Sequence, residues 1–118
     1  MTNLFVTVKL LVVLSASMGS ALPVGSLALA VPQPEYFVGD IVTFKIPSSE
    51  ELLTHRVIGV TGADGSKVYE TRGDANNVVD DRELMHEDII GKVIFHLPYL
   101  GYLLRLPQIL LAAILPNP

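Results

Sequence analysis

The chain has 118 residues, half of them hydrophobic and 17% charged, with a formal net charge of −4 and no cysteine. That length suits one domain built around a single core. The acidic balance and the scatter of its eight Lys and Arg residues exclude a phosphate-neutralising nucleic-acid surface, and the lack of thiols excludes disulfides, thiolate catalysis and cysteine-based zinc sites.

Residues 4–14 are apolar apart from Thr7 and Lys9, too short a run for the roughly 20 residues of a membrane-spanning helix. A secretory leader cut near Ser15-Ala16-Ser17 is a second reading. It is disfavoured because Lys9 interrupts the apolar region and the first residues carry no positive side chain. With β-branched residues recurring and no helix cap before it, the lead-in is expected as a buried strand that delivers the chain to Ser17.

Five further runs rich in Val, Ile, Leu and Phe lie between clusters of Pro, Gly, Asp and Ser. They predict strands over Val24–Val31, Asp40–Ile46, Leu52–Thr61, Lys67–Thr71 and Ile89–His96. Asp64-Gly65 is a hairpin signal because glycine accepts the positive φ of tight turns, and it pairs the His55 strand with the Lys67 strand. With period two, Leu53, His55, Val57 and Gly59 share one face and Thr54, Arg56, Ile58 and Val60 the other. At the C-terminus, residues 103–115 are apolar but broken by Arg105, Pro107 and Gln108. They predict a short helix, packed on the core or lying on a membrane.

Three distant stretches carry chemistry: Ser15-Ala16-Ser17-Met18, Thr54-His55-Arg56, and Gly73-Asp74-Ala75-Asn76-Asn77 with Asp80. A hydroxyl, an imidazole and a carboxylate suffice to deprotonate a serine and stabilise the resulting imidazolium. The hairpin brings Asp74 near the start of the His55 strand, and Asp80 is a second candidate carboxylate. Taken singly, each stretch has a plainer reading. The Gly73–Asn77 stretch is an ordinary turn, a lone strand histidine is commonly a hydrogen-bonded core residue, and Ser17 alone is a turn hydroxyl. His55, His86 and His96 lack metal-ligand spacing, and His86 and His96 read as surface or strand residues.

Together with Pro23-Val24-Gly25-Ser26-Leu27, Gly39-Asp40-Ile41-Val42-Thr43-Phe44, Ile90-Gly91-Lys92-Val93 and Pro98-Tyr99-Leu100-Gly101, these stretches occur in the order of a known family's sequence blocks. The chain resembles type I signal peptidases, in the archaeal, spore-former and endoplasmic-reticulum branch where histidine replaces the usual lysine base. The resemblance covers most of the chain. It departs at the nucleophile, where Ala16 stands for a glycine, Gly19 for an acidic or variable residue and Ser20 for a proline; alanine is strained if position 16 requires positive φ.

The resemblance implies one catalytic domain over residues 1–118. Its fold is expected to be mainly β, a partly open barrel of short, mostly antiparallel strands with an apolar C-terminal helix within residues 103–118. Residues 1–14 form the lead-in strand, and the chain is expected to begin short of a transmembrane anchor. Ser17 is the implied nucleophile and His55 the general base. Asp74 or Asp80 orients the ring, the Ser17 amide and Ser15 hydroxyl hold the oxyanion, and Met18 lines the substrate site. No cofactor or metal is needed. The implied substrate is a preprotein signal peptide, cut on the extracytoplasmic or lumenal side of a membrane, with lipid or membrane subunits as partners. Two other readings are an inactive peptide-binding relative and a repressor-type autoprotease. The latter expects a lysine base, whereas Lys45 and Lys67 lie outside any matching motif.

Overall fold

The computed structural model describes residues 8–101. Within them the apolar runs form seven strands: β1 Lys9–Val12, β2 Leu27–Val31, β3 Ile41–Lys45, β4 Leu52–Thr61, β5 Val68–Arg72, β6 Leu84–Met85 and β7 Ile89–Leu97. They make one antiparallel sheet in the order β1-β2-β7-β3-β4-β5-β6. The mainly β expectation is met. The strands are antiparallel, as expected, and form a sheet whose ladder ends at β1 and β6 and does not close into a barrel among the described residues. The predicted C-terminal helix lies outside them.

Differences from the expected elements have local causes. The 24–31 strand starts only at Leu27 because Pro23–Ser26 is a turn, closed by Ser26 N–H on the Pro23 carbonyl at 3.0 Å with Gly25 at a φ of 88°. Among the described residues, the lead-in is not a buried strand. Its described part, β1, is a four-residue edge strand paired with β2, and Leu10 is 64% exposed. Strand β6 was not expected, since two residues are too short to show any alternation.

Two apolar clusters lie against the sheet. One gathers Tyr36, Val42, Phe44, Val57, Tyr69, Leu84 and Ile89; the other gathers Met18, Leu22 and Ala28. His55 stands on the same face of β4 as Val57, with the Phe44 ring edge-on at 6.3 Å.

The β4–β5 pairing decides what reaches that face. Ser66 N–H donates to the Ala63 carbonyl, and of the two central turn residues only Gly65 has positive φ. This tight turn pairs Thr61 with Val68 and Val60 with Tyr69. Continued unchanged, the register would set Val57 against Arg72. A bulge between Val57 and Gly59 instead sets Val57 against Thr71. The extra residue breaks the period-two alternation. Val60, expected on the face away from His55, accordingly packs against the core with Leu53.

Candidate active site

Ser17 sits in the turn that follows β1. Gly19 N–H closes the turn on the Ala16 carbonyl at 2.9 Å, and Gly19 takes a φ of 57° that L-residues rarely adopt. Ala16 itself has no positive φ, so alanine is not strained there. The position that does require glycine is 19.

Ser17 Oγ lies 3.0 Å from His55 Nε2, and His55 Nδ1 lies 2.6 Å from Asp80 Oδ2. The separation of serine and imidazole that would mark an inactive relative is therefore not seen. An ionised carboxylate only accepts, so Nδ1 carries the ring proton and Nε2 is left as the acceptor for the Ser17 hydroxyl. His55 is 4% exposed, while Ser17 is half-buried at the edge of a pocket.

Asp80 is fixed from β5. Its amide donates to the Thr71 carbonyl at 2.9 Å, and Thr71 Oγ1 donates to Asp80 Oδ2 at 2.6 Å. Of the two candidate carboxylates, Asp80 meets the imidazole. Asp74 instead forms a bidentate pair with Arg56, whose Nε and Nη2 lie 2.9 and 2.8 Å from its two oxygens, while Arg56 Nη1 reaches the Gly39 carbonyl at 2.8 Å. The Arg56 hydrogen bonds hold the Asp74 carboxyl below its ordinary pKa, and Asp74 raises that of Arg56.

The turn carrying Asp74 is nonetheless part of the site. Ala75 N–H donates to the Ser17 carbonyl at 2.8 Å. Gly73 lies so close that an added Cβ would fall 2.6 Å from the Ser17 carbonyl oxygen and 3.0 Å from His55 Nε2.

Ser15 Oγ accepts the Ser17 amide proton at 3.2 Å, so the two expected oxyanion donors are neighbours and the amide is occupied. Met18 is 1% exposed and packs with Leu22 and Ala28. It also borders a pocket of about 120 Å³ shared with Leu14, Ser17, Leu53 and Thr54. His86 stands apart, with Nε2 donating to the Gln33 carbonyl and its ring against Tyr36. His96 lies on β7 opposite Ala28. Among the described residues no group of His, Cys, Asp and Glu has the arrangement of a metal site.

Sequence reasoning missed Thr71 and, although Arg56 and Gly73 stood within its motifs, assigned neither of them a role. The Asp64-Gly65 turn could have brought Thr71 near the site, but its face depends on the bulge at Ile58, for which Gly59 inside the strand was the one available signal.

No family model matches the chain. Similar curated proteins include the "Signal peptidase complex catalytic subunit" of Sclerotinia sclerotiorum, 36% identical over 104 residues, and those of Verticillium alfalfae and Neurospora crassa, each 34% identical over 104 residues. Each comparison covers 79% of this chain and 60% of the relative. The chain thus spans about three fifths of the length of the relatives it matches.

Proposed function

The chain is a homologue of signal peptidase complex catalytic subunits, and from that premise we propose that it is a serine endopeptidase removing N-terminal signal peptides from preproteins at a membrane surface. One observation carries the reading: Ser17 Oγ, the His55 ring and the Asp80 carboxylate form a continuous line of hydrogen bonds of 3.0 and 2.6 Å. The catalytic domain is taken as the whole chain, residues 1–118.

In the proposed reaction His55 Nε2 takes the Ser17 proton as Oγ attacks the scissile carbonyl, while Asp80 stabilises the imidazolium through Nδ1–H. The carbonyl oxygen of the substrate then replaces Ser15 Oγ as acceptor of the Ser17 amide, and the freed Ser15 hydroxyl turns to donate as well. A preorganised donor contributes about 3 kcal/mol at a developing oxyanion, and here that gain is reduced by the cost of first breaking the Ser17 amide–Ser15 Oγ bond. Collapse of the tetrahedral intermediate breaks the C–N bond, with His55 giving its proton to the leaving amine. Water activated by the same nitrogen then releases the acyl group from Ser17. Asp74 acts at a distance, holding the turn behind Ser17 rather than orienting the imidazole.

The pocket of about 120 Å³ beside Ser17, walled by Leu14, Met18 and Leu53, suits a small side chain before the cut. Among the described residues β1 pairs only with β2, so its other edge is open for an extended peptide to add as a strand. On β1, β2 and β7, Leu10, Leu29 and Phe95 form one cross-strand row, with Leu10 64% and Phe95 56% exposed. That apolar row supports a lipid or membrane-subunit contact; the extracytoplasmic or lumenal side is part of the proposed reading, taken from the resemblance. No helix among the described residues is long and apolar enough to cross a membrane.

The test is cleavage of a preprotein by the purified full chain in lipid vesicles. Cutting after a small residue is expected, with Ser17→Ala and His55→Ala each reducing it to background. Undiminished cutting by either folded variant overturns the assignment.

A further inference from the structure

Thr71 is completely buried on β5, opposite Val57 and on the face that carries His55. It grips Asp80 at two points: its carbonyl accepts the Asp80 amide at 2.9 Å, and its hydroxyl donates to Oδ2 at 2.6 Å. The His55 ring uses the same oxygen, also at 2.6 Å. Two donors therefore converge on Oδ2.

A carboxylate held by one donor alone can turn about its Cβ–Cγ bond and offer either oxygen at various angles. A second donor, fixed in the sheet, removes that freedom. We propose that Thr71 is a positioning residue for the proton relay: its hydroxyl locks Asp80 Oδ2 against Nδ1 of His55, so that Nε2 stays aimed at Ser17. This rests on the serine-endopeptidase reading above and adds a fourth side chain to it.

The chemistry makes the role separable from folding. Valine has nearly the shape of threonine, and replacing a buried hydroxyl by a methyl leaves no new orphan group on β5, while Asp80 keeps its amide bond and its His55 partner. Thr71→Val should fold with an unfolding temperature close to that of the parent, and Thr71→Ala offers a second variant without a donor. Thr71→Ser keeps the hydroxyl.

The experiment measures kcat and KM for preprotein cleavage, with proton NMR of the His55 Nδ1–H in the same full-length samples. Thr71→Val and Thr71→Ala are expected to lower kcat by about 10-fold to 30-fold with KM unchanged, since an interaction that matters in the transition state has been loosened. Thr71→Ser should stay within about 3-fold of the parent. In an Asp80→Ala background Thr71→Val should cost nothing further, because the side chain it acts through is gone. The Nδ1–H resonance is expected far downfield in the parent, given the 2.6 Å contact with Asp80, and should move upfield or broaden in the valine and alanine variants and persist in the serine variant.

Parental kcat and an unmoved resonance in Thr71→Val would overturn the proposal, as would an equal loss with and without Asp80. Failure of the endopeptidase reading looks different: the parent and Ser17→Ala would be equally inactive, and the resonance alone would then decide whether Thr71 positions Asp80.

Discussion

The backbone amide of Ala75 donates to the carbonyl oxygen of Ser17 at 2.8 Å, fastening the turn that contains Asp74 to the turn that contains the proposed nucleophile. Gly73 opens that turn, and its φ is not positive. Glycine is required there by proximity rather than by backbone conformation. In Gly73→Ala the new methyl would lie 2.6 Å from the Ser17 carbonyl oxygen, so Ser17 must shift. Preprotein cleavage is expected to fall by about 100-fold, the scale of a misplacement near 1 Å at a reacting group. Steady-state kinetics on protein with parental circular dichroism checks this.

The two aspartates are expected to differ sharply. Asp80→Asn removes the acceptor from Nδ1 of His55 and favours the wrong ring tautomer, so kcat should fall by about 10³-fold to 10⁴-fold with little change in KM. Asp74→Asn breaks only the Arg56 pair and should cost less than about 10-fold in kcat, since the Ala75 amide still holds Ser17. Equal losses from the two substitutions would contradict the separate roles.

Acid stability should report the Asp74–Arg56 pair. The Arg56 hydrogen bonds lower the Asp74 pKa below its ordinary 3.8, so in the window between the two values the unfolded chain binds more protons than the folded one. Stability then rises with pH through that window. The contribution is fully present above the ordinary value and is lost as pH falls through the lower folded one. With the two side chains 33% and 29% exposed, it should amount to about 0.5–1 kcal/mol. Urea unfolding of parent and Asp74→Asn across the acid range should show a difference at neutral pH that vanishes at the acid end.

Phe44 is wholly buried and touches both the core and the His55 ring. Phe44→Ala should destabilise the fold by about 3–5 kcal/mol through lost burial and the cavity left behind. The midpoint of denaturant unfolding measures this. A variant as stable as the parent would mean that the neighbouring side chains collapse into the space.

The sequence by itself determined the longer central strands and the candidate site residues, but not β6 or the start of β2. Pro, Gly and Asp clusters bound the runs that become β3, β4, β5 and β7, because turns need those residues' backbone geometry and strands exclude them. Ser17, His55 and the two aspartates were legible because their chemistry is specific and their order matches a family's blocks. Only the tertiary structure decided which aspartate meets the imidazole. The choice depends on one inserted residue near Ile58, which shifts the β4–β5 register so that Thr71 faces inward and draws Asp80 to His55. It depends equally on Arg56, which points to the other face and takes Asp74 for itself. Gly59 inside β4 marks a place where the strand can bulge, but whether the extra residue is inserted, and so which face Thr71 takes, is set by how the side chains of β4 and β5 pack on the core rather than by the turn that joins them.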